Sequence, residues 1–142
     1  MRTKLYFITV AATFFLFFSC NLLEDELTGS VAEKLEGQWE CNETSTLYKK
    51  TLDYYTVYID IHPIDSDQIL IENFYQLGRS VDVVAKVSGM TLSIPTQNTS
   101  DDFMIYGTGN ISSDYNEIIW TYFVDDGSGI WDEVEAVYTR IY

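Results

Sequence analysis

His62 is the only histidine of the chain, and it opens the stretch His62-Pro63-Ile64-Asp65-Ser66-Asp67. Imidazole and carboxylates are the side chains of general bases and metal sites, but either role needs partners that this neighbourhood lacks, so a solvated turn residue is the simpler reading. Asp65-Ser66-Asp67 and Asp125-Asp126-Gly127-Ser128-Gly129 carry oxygen donors spaced as in fragments of calcium loops. Neither continues into the ligand pattern of such a loop, and ordinary turn chemistry accounts for both. The 22 acidic residues offer material for an acid/base pair, yet nothing in their order brings two of them together. A G-x-S-x-G elbow, a phosphate loop, a dinucleotide fingerprint and zinc-type spacing are all missing. The residues therefore point away from an enzyme, and no cofactor or metal is expected.

Cys20 is the more informative position. The stretch Phe14 to Glu26, FFLFFSCNLLEDE, ends an uncharged run on this cysteine and then turns acidic. From Leu5 to Phe18 the run has 14 residues behind Arg2 and Lys4. As a helix it would cover roughly 21 Å, short of the roughly 30 Å hydrocarbon core of a bilayer. A basic start, an apolar centre and a small residue before a cut describe a signal peptide over residues 1–19. Ordinary cleavage after Ser19 would put bulky Phe17 where a small side chain is needed. Leu16-Phe17-Phe18-Ser19-Cys20 resembles a bacterial lipobox, in which the cysteine becomes the lipidated first residue, although the leucine lies four rather than three positions before it. The resemblance implies lipidation of Cys20 and attachment to the membrane through that anchor alone. Residues 20–29 then form an acidic tether, whose Glu24-Asp25-Glu26 is similar to the export tag of surface lipoproteins in Bacteroidetes and reads equally well as a solvated spacer. The expected location is the outer membrane, on its periplasmic face or at the cell surface.

Without residues 1–19, six basic side chains face 22 acidic ones, a net charge of −16. Such a surface repels nucleic-acid backbones and anionic headgroups, so nucleic acid is excluded as a partner. Once Cys20 is acylated only Cys41 remains, no intrachain disulfide can form, and Cys41 reads as a buried thiol. The remaining length suits a single domain over residues 30–142.

The elements of that domain are legible from their alternation. Ser30 and Glu33 have the spacing of a capping box, and Gly37 suits the end of a short helix. Strands follow over 38–48, 51–61, 68–75, 81–87, 90–94, 103–111, 117–125 and 130–141, separated by turn residues. Tyr55, Val57, Ile59 and Ile61 share one face of the second, and Val81, Val83, Ala85 and Val87 one face of the fourth. Pro95 is expected to end the fifth. Gly107 and Gly109 fall on one face of the sixth, where they allow a sharp bend or a close approach. Ile118, Trp120, Tyr122 and Val124, with Val134, Ala136 and Tyr138, mark inner faces of the last pair. Eight strands in a meander, with no crossover helix, predict an all-β, antiparallel, up-and-down barrel of eight strands with a short N-terminal helix, because closure removes exposed edges. A two-sheet sandwich is the alternative.

Gly37-Gln38-Trp39, after the helical turn and at the start of the first strand, resembles the G-x-W motif of lipocalins and the wider calycin group. The resemblance implies that Trp39 plugs the barrel floor and that Arg140, near the end of the last strand, lies across its ring. Ser113-Asp114-Tyr115 is similar to the family's T-D-Y turn. The whole domain is most similar to small lipocalin-like lipoproteins of Bacteroidetes, many of them without an assigned ligand. It departs from secreted lipocalins in having no disulfide and no trailing helix, and its short strands imply a shallow cup.

The chain holds 11 tyrosines, and inward-facing ones are natural where a cavity holds water or a polar-edged ligand. Tyr55, Trp120, Tyr122 and Tyr138 are the pocket-lining candidates. Two functions remain open: a non-catalytic binding module for a small apolar or aromatic ligand, or a filled barrel acting through its outer surface as an assembly subunit or enzyme inhibitor. A cavity of roughly 300 Å³ or more would favour the first.

Overall fold

The computed structural model describes residues 29–47, 50–51 and 54–142. Cys20, the signal-peptide segment and all but the last residue of the expected tether lie outside them.

The capping box forms as its spacing requires. The Ser30 hydroxyl accepts from the Glu33 amide at 3.2 Å and the Glu33 carboxylate from the Ser30 amide at 2.6 Å, which starts helix α1, Val31–Leu35. Gly37 follows with φ +130°, a conformation that glycine adopts without cost, and the chain enters β1, Gly37–Ser45. The strands after it are β2 Lys50–Thr51, β3 Tyr55–Ile61, β4 Gln68–Glu72, β5 Asp82–Ser88, β6 Thr91–Asn98, β7 Met104–Ile111, β8 Glu117–Asp125 and β9 Asp132–Arg140. Each barrel strand pairs antiparallel with the next, and β2 only extends the β1 hairpin, through Thr44↔Thr51 and Ser45↔Lys50. The ring closes where β9 returns to β1, from Trp39↔Arg140 to Ser45↔Val134. The result is a closed, eight-strand, all-antiparallel barrel with one short helix, and the sandwich alternative falls because the first and last barrel strands are paired.

Of the expected strands Glu117–Asp125 falls as expected and the others shift at one end or both, the first ending at Ser45; two of the shifts have a clear local reason. The second strand is described as β3 over Tyr55–Ile61, with Thr51 in the short β2. The third stops at Glu72 instead of Tyr75 because Asn73 takes a left-handed conformation, φ 60°, held by its side chain, which donates to the Thr56 carbonyl at 2.8 Å and accepts from the Gly78 amide at 3.0 Å. The fifth passes through Pro95 and continues to Asn98. The register with β7 slips by one residue between Ile94 and Gln97, a bulge that accommodates a residue without an amide proton. Beyond Ser93 β6 no longer pairs with β5, and the Gln97 side chain takes over: its Oε1 accepts from the Val84 amide at 2.9 Å and its Nε2 donates to the Val84 carbonyl at 2.8 Å.

Inward positions follow the period of two. Trp39, Cys41, Glu43 and Ser45 of β1 are buried, as are Ile118, Trp120, Tyr122 and Val124 of β8 and Asp132, Val134, Ala136 and Tyr138 of β9. Gly107 and Gly109 stand opposite Tyr122 and Trp120 in register. A Cβ on Gly107 would come within 2.7 Å of the Thr121 carbonyl oxygen, and one on Gly109 within 2.7 Å of the Trp120 ring. The two glycines therefore exist to let β8 carry large rings on its inner face.

Candidate functional site

The strand order places α1 and the turns β3–β4, β5–β6 and β7–β8 at one end of the barrel, and the connections β4–β5, β6–β7 and β8–β9 at the other. At the helix end the Arg140 guanidinium lies 4.4 Å from the centre of the Trp39 ring. It also donates to the carbonyls of Tyr115 (3.1 Å), Glu36 (3.0 Å) and Lys34, while the Trp39 indole donates to Leu35 at 2.9 Å. Two side chains thus satisfy the carbonyls that a short helix leaves open at its C-terminal end. Tyr115, at φ 59°, offers its carbonyl from the Ser113-Asp114-Tyr115 turn. This end is sealed.

Above it the interior becomes polar. Glu43 is fully buried, and its Oε1 accepts from the hydroxyls of both Tyr55 and Tyr122. Burial pushes its carboxyl above the ordinary range, the two tyrosines and the Cys41 thiol pull it back, and the charge of Asp132 raises it further. Burial raises the hydroxyls of Tyr55, Tyr122 and Tyr138 and, with Glu43 nearby, the thiol of Cys41. Three buried polar atoms have no hydrogen-bond partner among the described residues: Glu43 Oε2, Trp120 Nε1 and the Tyr138 hydroxyl. Each such group costs about 1–3 kcal/mol.

At the open end Asp132, 3% exposed, accepts from Ser45 Oγ at 2.7 and 2.8 Å, from the Leu47 amide at 3.1 Å and from the Tyr75 hydroxyl at 2.8 Å. Phe74, fully buried, reaches across from the β4–β5 connection to the opposite wall, with its ring 4.5 Å from Tyr122 and edge-on to Trp120. Phe74 and Tyr75 are a plug. The segment carrying them is unusual, since Asn73, Tyr75 and Gln76 all have left-handed conformations. For side chains other than glycine each costs of order 1–3 kcal/mol when enforced.

Outside the plug lies an open cleft of about 580 Å³, lined by Leu47, Tyr75, Leu77, Phe103, Val124, Asp126, Ser128, Ile130 and Asp132. Leu47 and Ile130 remain 48% and 59% exposed on its rim. None of the four sequence candidates lines this cleft. Trp120, Tyr122 and Tyr138 are wholly buried; Tyr122 and the partly buried Tyr55 hold Glu43, while Trp120 packs against Tyr138 with ring centres 5.9 Å apart. Glu43 and Asp132, which sequence reasoning missed, share the inward parity of Trp39 and Cys41 and of Val134 and Tyr138. His62 accepts the amides of Ile64 and Asp65 through Nδ1, and Asp65, Asp125 and Asp126 accept amides of their own turns. Among the described residues no three of histidine, cysteine, aspartate and glutamate gather as a metal site.

The chain matches no family model and none of the curated proteins.

Proposed function

We propose that the protein is a membrane-anchored lipoprotein of the cell envelope, held by acylated Cys20 at the outer membrane, whose barrel binds a small apolar or aromatic ligand without transforming it. The observation that carries the binding reading is the open cleft of about 580 Å³, within the range of ligand sites and with apolar side chains left on its rim. The lipocalin-like character is supported by Trp39 and Arg140, stacked where the resemblance puts them. The anchor rests on the apolar run and lipobox-like residues before Cys20, since several acyl chains hold firmly where one is marginal.

A second reading, a filled barrel acting through its outer surface, is favoured by the Phe74 plug and by an outer aromatic group. There Tyr106 stacks on Phe123 at 4.8 Å and meets Trp131 edge-on at 5.1 Å. Native mass spectrometry of protein purified from its own cells decides between them. A retained small molecule is the outcome expected of a binding module, and a bare chain held in a complex with another protein is that of the second reading. The same spectra should show an acylated Cys20 at the amino terminus; an unmodified later terminus removes the anchor.

A further inference from the structure

The cleft at the open end is assembled from pieces that the barrel ladder does not hold. β1 leaves β9 after Ser45↔Val134, with one further bond from the Thr46 amide to the Glu133 carbonyl at 3.0 Å. At Leu47 a side chain takes over from the backbone, because the Leu47 amide donates to Asp132 Oδ1 at 3.1 Å. The other oxygen of the same carboxylate, Oδ2, accepts the Tyr75 hydroxyl at 2.8 Å, and Ser45 Oγ lies 2.8 and 2.7 Å from the two. One carboxylate at the start of β9 therefore ties the lip carrying Leu47 to the floor carrying Tyr75, and both residues line the cleft. The bonds are charge-assisted, and at 3% exposure the carboxylate is little reached by solvent. Without this tie the floor has reason to move. Asn73, Tyr75 and Gln76 stand at φ 60°, 52° and 58°, a region that side chains other than glycine disfavour. Phe74 between them is anchored by the rings of Tyr122 and Trp120, whereas Tyr75 is only partly buried and meets Tyr122 edge-on at 6.3 Å.

We propose that Asp132 is the positioning residue of the cleft: by holding the Leu47 lip and the Tyr75 floor in place it keeps the cleft in the form that accepts an apolar ligand. The inference rests on the ligand-binding reading above and adds the residue on which that binding depends. A carboxylate that only stabilised the fold would change how much protein is folded, and not how tightly the folded protein binds. A positioning carboxylate sets the fraction of folded molecules whose cleft is formed, and the apparent Kd rises by the inverse of that fraction.

Nile red, an uncharged fluorophore that brightens in apolar surroundings, tests the proposal by titration of the full chain well below the melting temperature of each variant. Tyr75→Phe keeps the lining ring and removes only the hydroxyl on Asp132, and it should raise the Kd about tenfold, the equivalent of one hydrogen bond to a charged group. Ser45→Ala takes a hydrogen bond from the same carboxylate but touches no residue lining the cleft. Its melting temperature should fall as far as that of Tyr75→Phe while its Kd stays within about twofold of the wild type. Asp132→Asn, of the same size but turning amide hydrogens toward two donors, should weaken binding at least as much as Tyr75→Phe, and the first two variants decide the matter even where this one fails to fold. Wild-type affinity in Tyr75→Phe overturns the proposal, as does an equal rise in Kd in Tyr75→Phe and Ser45→Ala. Failure of Nile red to bind the wild-type chain overturns it too, whereas the ligand-binding reading itself stands or falls on the molecule retained in native mass spectrometry.

Discussion

Glu43 accepts two tyrosine hydroxyls in a fully buried place, and its replacement separates charge from hydrogen bonding. Glu43→Ala leaves the Tyr55 and Tyr122 hydroxyls without their acceptor and should cost about 2–4 kcal/mol in urea unfolding, whereas Glu43→Gln, which keeps an acceptor oxygen, should lose less than half of that. The same carboxyl sets a pH dependence. An unfolded chain releases this proton above about pH 4.5, and the folded chain only at higher pH, because burial raises the group. Between those two points the folded state holds more protons, so stability falls as pH rises. Cys41, Tyr55, Tyr122 and Tyr138 face the same space and are raised too, so their contribution belongs to alkaline pH, and Asp132 faces it from the open end. Melting temperatures across the acidic-to-neutral range should therefore decline in the wild type more steeply than in Glu43→Gln. Arg140 offers a parallel test at the sealed end. Arg140→Ala removes a cation over an indole and three hydrogen bonds to carbonyls, for an expected loss of about 2–4 kcal/mol. Arg140→Lys should restore only a minor part, since an ammonium cannot present the planar fork that reaches Glu36 and Lys34 together.

At the level of strands, the two glycines of β7 differ in what they face, and their substitutions should differ accordingly. Gly107→Ala drives a methyl against the backbone of Thr121 and Tyr122, which cannot turn aside. Gly109→Ala meets only the Trp120 ring. Overpacking of this kind costs about 1–3 kcal/mol when side chains can shift, so Gly109→Ala should fall in that range and Gly107→Ala beyond it, both read by denaturant melts. The glycines also show how far the residues themselves reveal the fold. Their spacing allowed a sharp bend or a close approach, and which of them holds, and which group approaches, depends on the β7–β8 register, which no single strand encodes. Alternation gave eight strands and the inner faces of β8 and β9, because a half-buried strand writes its period into the sequence. The capping box was legible for the same local reason, whereas the Trp39–Arg140 pair came from the resemblance of Gly37-Gln38-Trp39 to the lipocalin motif. The plug was not. Apart from Asn73 nothing in Asn73-Phe74-Tyr75-Gln76 signals left-handed backbone, and a Phe-Tyr pair reads as more strand. Nor was the cleft, whose walls come from connections such as those carrying Leu47, Leu77, Phe103 and Ile130, where side-chain direction has no period. Glu43 and Asp132 were within reach, being on inward parity, but an acid at an inward position is ordinarily taken for a sign of the other face.

For the molecule as a whole, closure is the feature on which everything else stands. The last two residues are exposed by 42% and 93% and add only the Ile141 amide on the Gln38 carbonyl and the Tyr142 hydroxyl on Asn116, so a chain ending at Arg140 should melt within a few degrees of the full one. A chain ending at Val137 loses Tyr138, Arg140 and the pairing of Trp39 through Cys41 with β9, and should lose its cooperative melt altogether. Between β5 and β6 backbone pairing is confined to Lys86–Ser88, and beside Val84 the Gln97 carboxamide supplies the two hydrogen bonds that a neighbouring backbone would. That substitution makes the rung a detachable one. A backbone rung cannot let go without distorting both chains, whereas a glutamine needs only a rotamer change. Gln97→Glu, whose carboxylate would repel the Val84 carbonyl, should therefore make the Val84 amide exchange with deuterium far sooner than its neighbours in β5.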